Sequence, residues 1–359
     1  MSDLADAVVA RTIEIAGVPA PTGAEDARAA VVRTWWDADG LAEVKTDTTG
    51  NVWAQVRGGD GPMVVLCAHL DTVFDADVPH TVRVEADRLV GPSVGDDSVG
   101  LASLAAAGSS LDPRGVPVWL LATVGEEGFG NLRGVNAALD APPAPIGAFI
   151  AVEGNYLGRV STVGVGSVRR RVVVRGPGGH AWEAADSPSA IHAIADVITS
   201  IASIARPPGT SVNVGRIGGG EGINVRASEA WFELDLRADD AGRLASLTQE
   251  VEECLQHIGP VLTMDHASLG DRPAGRVDPG HPLVRAAEEA LGEVGMSPIS
   301  PATSTDANAA HARGVPAIAV GVTKGSGEHT QAEWIETGPL EDGVRALART
   351  VERFEELTR

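Results

Sequence analysis

Cysteine is nearly absent from this chain, with Cys67 and Cys254 the only two. A pair so far apart makes no disulfide framework, and Cys67, inside an apolar run, reads as a small buried hydrophobe. Lysine is as rare, at Lys45 and Lys324, and positive charge is short overall: 28 Lys and Arg stand against 49 Asp and Glu, a net charge of −21. So acidic a surface repels phosphate, which argues against a nucleic-acid partner. Long apolar runs are missing too, and none approaches the ~20 residues of a membrane-spanning helix. The amino-terminal stretch MSDLADAVVARTIEIAG carries early acids and no unbroken apolar core, so it does not read as a secretory leader. The expectation is a soluble, cytoplasmic protein without a membrane partner. There is no internal repeat, no H-E-x-x-H, no cysteine cluster and no G-x-S-x-G serine elbow.

What is present is material for real cores. The 359 residues are 43% hydrophobic and 21% charged, a length that suggests two compact units. Leu4, Val8 and Ile15 fall at helical spacing. Thr22 and Glu25 form a T-x-x-E capping box, predicting a second helix that Gly40 ends. Val52, Ala54 and Val56 alternate as a strand. Continuous apolar runs at Met63–Ala68, Val116–Val124 and Ala148–Val152 predict strands buried on both faces. Helices are expected near Val99–Ala107 and Asn131–Leu139. This alternation predicts an α/β layered domain with a largely parallel sheet. Near residue 165 the pattern changes. Arg and Val alternate over Arg169–Arg175, and Ile191, Ile194, Ile198 and Ile201 form a helical stripe. Strand-like segments at 211–217 and 222–237 follow, then an amphipathic helix from Gly242 to about His257. These predict a smaller α+β unit. After about residue 270 the first pattern returns, with a helix near Pro282–Val294, a strand Val315–Val320 and a helix Leu340–Leu357. The parse is a catalytic domain in two parts, 1–164 and 271–359, interrupted by an inserted α+β domain at 165–270.

Chemistry collects where the buried strands end. In C-A-H-L-D-T-V, His69 and Asp71 are two apart at a strand end and point the same way. Such a His can bind a metal while the carboxylate orients its ring, although a packed His–Asp pair would look the same. In G-P-S-V-G-D-D-S-V-G, Asp96 and Asp97 are a helix N-cap or, alternatively, one of them bridges two cations. In T-V-G-E-E-G-F-G, Glu126 and Glu127 project differently, so one can bind metal while the other moves a proton for an attacking water. The apolar run before them places the pair at the carboxyl edge of the sheet, where α/β proteins bind ligands. Glu153 follows the third buried strand. His329, in G-E-H-T-Q-A-E-W, is unremarkable alone and gains weight from the others. Two His with Asp and Glu suit zinc, with manganese or cobalt as possible substitutes.

The ordered set H-L-D, G-D-D, G-E-E, V-E-G and E-H-T resembles the co-catalytic di-zinc metallopeptidases and deacylases that include carboxypeptidase G, aminoacylase, tripeptide aminopeptidase (peptidase T), acetylornithine deacetylase and succinyl-diaminopimelate desuccinylase. The resemblance covers nearly the whole chain. It implies a zinc-exopeptidase-like three-layer catalytic domain with an inserted, ferredoxin-like α+β lid that also dimerises. It implies two Zn²⁺, with Co²⁺ or Mn²⁺ able to substitute: His69, Asp96 and Glu153 on one, and Asp96, Glu127 and His329 on the other. Asp71 resembles the residue behind His69, and Glu126 the general base and acid. In the inserted domain, His180 of G-P-G-G-H matches a residue that polarises the scissile carbonyl, reaching in from a partner subunit. Asn224 and Arg237 match substrate-binding positions, Arg237 equally well a structural ion-pair partner, and Asp306 a supporting one. Relatives often carry Lys after the bridging Asp where this chain has Asp97-Ser98.

The implied activity is hydrolysis of an amide bond in short peptides. An N-acyl amino acid deacylase is the alternative. A metal-binding but non-catalytic homologue would be expected to lack Glu126 or a ligand, and this chain has both. A nucleotide-binding oxidoreductase is suggested by the Gly-rich stretch G-F-G-N-L-R-G. The spacing is not G-x-G-x-x-G, however, and the preceding acidic pair would repel a pyrophosphate.

Overall fold

The structure is a computed structural model that describes residues 2–256, 258 and 260–359. It divides into two compact units, residues 1–164 with 276–359, and Val165–Gly275.

The first unit is built on a seven-stranded sheet. Four strands at its centre run parallel, in the spatial order Val118–Thr123, Met63–His69, Ile146–Val152 and Ala317–Val320. Val52–Arg57 and then Ala42–Thr46 extend one edge antiparallel, and the short strand Val160–Ser161 closes the other. The continuous apolar runs exist because both faces are covered. Along Met63–His69, Val64, Leu66 and Ala68 enter one hydrophobic cluster with residues of the helices Asp3–Ala16, Val99–Ser109 and Leu340–Thr358. Met63, Val65 and Cys67 enter another, with residues of Arg133–Asp140 and Ala307–Ala312. Two helical layers therefore sandwich the sheet. Leu120 is fully buried in the first cluster. Leu120→Ala should cost about 2–5 kcal/mol of stability, read as an earlier urea midpoint.

Parallel strands put their carboxyl ends on one side. The first in sequence, Met63–His69, lies between the second and third, and the crevice beyond such a divergence is where open α/β sheets bind ligands. His69, the Glu126–Glu127 turn and Glu153 all sit at this edge.

One local expectation fails here. The second helix spans Asp26–Ala38, and its start has no side-chain cap. The Thr22 hydroxyl donates instead to Asp71 Oδ2 at 2.8 Å, and Glu25 Oε1 accepts the N–H of Gly23. The T-x-x-E pattern builds a loop beside the sheet edge, because the helix starts only at Asp26 and the Thr22 hydroxyl is tied to the Asp71 carboxylate.

The second unit is a four-stranded antiparallel sheet in the order Thr210–Gly219, Glu229–Ala238, Gly166–Arg175 and Thr263–Arg272. The last strand pairs with Gly166–Arg175 along its length, carrying the unit past residue 270. Val172, Val174, Phe232, Leu234 and Leu236 pack with the helices Ala190–Ala202 and Ala241–Leu255. Ile194 and Ile201 of the expected stripe are buried, whereas Ile191 is exposed. The expected strand 222–237 is shorter, since residues 222–228 form a loop. The expected helix end at His257 lies outside the described residues. The opposite sheet face is polar: Arg169 pairs with Asp235, Arg171 with Glu233, and Arg171 also stacks on Trp231.

Candidate metal centre

Three turns and one loop bring the acids together. Gly125, at φ +67°, takes the left-handed conformation that lets the chain turn sharply after Val118–Thr123 and present two successive glutamates. Gly154 allows the turn after Glu153 to press on the Asp96 loop, because a Cβ there would collide with the carbonyl of Gly95 and with Val99. His329 itself holds φ +64°, an uncommon conformation for a non-glycine residue.

The resulting cluster has two overlapping triads. The ligating atoms of His69, Asp96 and Glu153 lie within 4.8 Å of one another, as do those of Asp96, Glu127 and His329. Asp96 belongs to both. Its Oδ1 is 2.8 Å from His69 Nε2, and its Oδ2 is 3.1 Å from His329 Nε2. His329 Nε2 is also 3.1 Å from Glu127 Oε1. A third grouping joins His69, Glu126 and Glu127.

Asp71 organises two neighbours. Its backbone carbonyl lies 2.9 Å from His69 Nδ1, and its carboxylate 3.7 Å from the same atom. The carboxylate itself accepts the N–H groups of Glu126 and Glu127, both at 2.9 Å, and the Thr22 hydroxyl. It therefore fixes the ring tautomer largely through the main chain and pins the two-glutamate turn through its oxygens. Asp97, fully buried, accepts the N–H of His69 at 3.2 Å and that of Gly154 at 3.0 Å.

Ionisation follows from this crowding. Burial, then the charge of Asp96, pushes Glu127 up. Burial and Asp97 push Glu153 well up, and burial pushes Asp97 well up. Burial also opposes the charge on Asp96, but the hydrogen bonds to His329 and His69 win and hold it well below the usual carboxylate range. His329 is raised to about 10 by its bonds to Asp96 and Glu127. Several acids held close in a desolvated site with two imidazoles need positive charge, and two divalent cations would supply it. The donor set of imidazole nitrogens and carboxylate oxygens in two three-point groups with one shared carboxylate fits such ions.

Two residues that carry no mark in the sequence complete the centre. Glu333 is fully buried, and its Oε1 accepts the N–H groups of Gly95 at 2.8 Å and Asp96 at 2.7 Å, with Ser93 adding a backbone bond. Arg28, also fully buried, donates to the carbonyls of Val18 and Leu70 and to Ser93 Oγ. Burial lowers its pKa to about 10 against the pull of the surrounding acids. Together they clamp the loop bearing Asp96 to the strand end bearing His69. Glu333→Ala would strip the acceptor from that loop. It should weaken divalent-metal affinity about 10- to 100-fold, as removing such supporting groups usually does, measured by competition with a chelating dye.

A pH dependence follows for the metal-free protein. Burial raises Glu333 from 4.5 to about 8, so the folded chain keeps a proton that the unfolded chain releases, and stability falls as pH rises across that window. His329, raised from 6.5 to about 10, contributes stability that is complete below 6.5 and lost as pH rises through 10. The two slopes agree. The melting temperature of chelator-treated protein should fall steadily from pH 5 to 9, and added divalent metal should flatten the fall. A metal-free protein that is more stable at pH 9 than at pH 6 would contradict this.

The second unit holds the remaining residues singled out by sequence. His180 is exposed and bridges to Val225, while the N–H of Ala181 donates to the carbonyl of Asn224 at 2.8 Å. This loop leaves the sheet at the end where Arg175 pairs with Glu229. Arg237 lies at the other end, opposite Ser167, and is ion-paired to Asp235 at 2.7 Å. Eight residues of extended strand separate Glu229 from Arg237, roughly 26 Å. The unit brings His180 and Asn224 together and keeps Arg237 away from both. Asp306, in the first unit, accepts hydrogen bonds from the Thr123 hydroxyl at 2.5 Å and Cys67 Sγ at 3.4 Å beneath the sheet edge. It supports the strands that carry the site.

The layered α/β unit thus sets two overlapping acid-and-imidazole groups, able to hold metal ions, at its carboxyl edge. The peptidase family M20/M25/M40 model matches residues 65–353, and the chain belongs to that family of metallopeptidases, hydrolases of amide bonds. Solved structures share the fold. The aminopeptidase PepT from Bacillus cereus superposes with a TM-score of 0.80 at 22% identity over 99% of both chains. A tripeptidase from Staphylococcus aureus gives 0.79 at 20% identity over 98% of both. A dinuclear metal-binding M20 peptidase from Bacillus subtilis gives 0.69 at 16% identity, covering 98% of this chain and 99% of the other. No curated protein matches the sequence. No helix among the described residues is long and apolar enough to cross a membrane.

Proposed function

We propose that this protein is a di-zinc exopeptidase acting on short peptides. The observation that carries the reading is the sharing of Asp96 by two three-residue groups. We assign His69, Asp96 and Glu153 to one zinc, and Asp96, Glu127 and His329 to the other, with Co²⁺ or Mn²⁺ as workable substitutes. Metal ions held there lower the pKa of a water molecule and polarise a carbonyl oxygen. The residues do the rest. Glu126, its backbone held by Asp71, takes the proton of the attacking water and delivers it to the departing amine. Asp71 keeps His69 in the tautomer that leaves Nε2 free to ligate. His180 donates to the developing oxyanion, and Asn224 and Arg237 contact the substrate's polar ends. The names of two peptidases that share the fold, an aminopeptidase and a tripeptidase, favour short peptides over N-acyl amino acids.

The roughly 26 Å between Arg237 and the His180 end of its sheet is too far for one small substrate to span within a single copy. This supports a homodimer in which His180 and Asn224 serve the partner's site. A mixture of E126Q and H180A, each inactive alone, should regain partial activity after subunit exchange. Strictly monomeric, uncomplemented variants would overturn the dimer. Both cysteines are unpaired, in keeping with a reducing, cytoplasmic setting.

A panel of di- and tripeptides against N-acetyl and N-succinyl amino acids, run with zinc, manganese and cobalt, tests the substrate class. Faster cleavage of peptides is expected. Exclusive cleavage of the N-acyl compounds would make the protein a deacylase instead.

A further inference from the structure

Beside the acid cluster, the first unit contains a cavity of about 500 Å³, within the range of small-molecule sites. Its walls come from three segments, residues 21–23, 72–75 and 127–133. Glu127 lines it and also belongs to the triad with Asp96 and His329. The cavity therefore adjoins the acid cluster at Glu127.

Its lining carries exposed apolar side chains beside the exposed acid Asp75. Among the described residues, the first unit has four exposed large hydrophobic side chains, Val73, Val84, Phe129 and Ile299. Val73, 41% exposed, and Phe129, 70% exposed, both line this one cavity, together with Pro21. Large apolar side chains gathered at a concavity beside a catalytic centre mark a place for an apolar ligand group. The cation in the wall, Arg133, is engaged by Glu25 at 2.5 Å.

The walls are also fixed in register with the catalytic turn. Thr22 donates to the same Asp71 carboxylate that holds the N–H groups of Glu126 and Glu127. The N–H of Thr72 donates to the carbonyl of Ala20 at 2.9 Å, and Glu25 receives both the N–H of Gly23 and Arg133. A preformed pocket loses little on binding to ordering its own parts.

We propose that this cavity is a side-chain subsite for the residue adjoining the scissile bond, and that Val73 and Phe129 make it select a large apolar side chain such as Leu or Phe. The proposal rests on the short-peptide reading and narrows it. The test uses the metal-loaded enzyme with Gly-Gly, Leu-Gly and Gly-Leu. Leu at one of the two positions should raise kcat/KM over Gly-Gly by at least about 10-fold, given what apolar groups gain in such pockets. F129A, which removes a wall, and V73F, which fills the space, should each drive that ratio toward one, with circular dichroism confirming the fold of both. Equal cleavage of all three dipeptides, or a Leu preference that survives both substitutions, would overturn the subsite while leaving the peptidase reading intact. No cleavage of these dipeptides or of the matching tripeptides Gly-Gly-Gly, Leu-Gly-Gly and Gly-Gly-Leu with zinc, manganese or cobalt would remove both.

Discussion

Glu126→Gln should leave two divalent ions bound and reduce kcat by about 10²- to 10⁴-fold, the range for losing a general acid–base group. Glutamine keeps the size and polarity of the side chain but can neither accept the proton of the attacking water nor return it to the amine. The backbone of residue 126 should stay in place, because its N–H is held by Asp71 whatever the side chain. Neither proposed metal triad includes Glu126. The loss should therefore fall on kcat rather than on metal content, and KM should move little. Wild-type turnover in E126Q would remove Glu126 from the chemistry. Loss of metal in the same variant would recast it as a ligand, for which its grouping with His69 and Glu127 offers a geometric basis.

Asp96→Ala should have the opposite signature. Asp96 contributes an oxygen to each triad, 2.8 Å from one imidazole and 3.1 Å from the other. Removing it opens both groups at once and leaves each with two ligands, His69 with Glu153 and Glu127 with His329. Both metals should be lost and activity should fall to background. His329→Ala, touching a single triad, should release one metal in preference to the other. Elemental analysis after gel filtration separates the cases. If D96A and H329A retained equal metal, Asp96 would not be the bridge.

Much of this was legible in the chain. The apolar run Met63–Ala68 could only be a strand covered on both faces, and the two clusters on either side of it show why. Acids and imidazoles at successive strand ends pointed to one centre because parallel strands share an edge. The rest depended on tertiary contacts that no local pattern carries. Arg28 sits in the first turn of a helix like a surface residue, yet it is fully buried among acids. Glu333 lies four residues beyond His329 in a loop, and only the packing of that loop reveals that it holds the Asp96 backbone. Thr22 followed a helix-cap pattern, but its hydroxyl donates to Asp71, 49 positions away. The separation of Arg237 from His180 needed the strand register, since both stood in equally suggestive motifs.

The most direct measurement is metal reconstitution of chelator-stripped protein, following peptide hydrolysis and bound metal together as zinc is titrated in. Two equivalents should bind per chain, with hydrolysis of short peptides absent in the stripped protein and complete as the second site fills. Hydrolysis that persists in the stripped protein, or saturates with no metal bound, would contradict a two-metal centre built on Asp96.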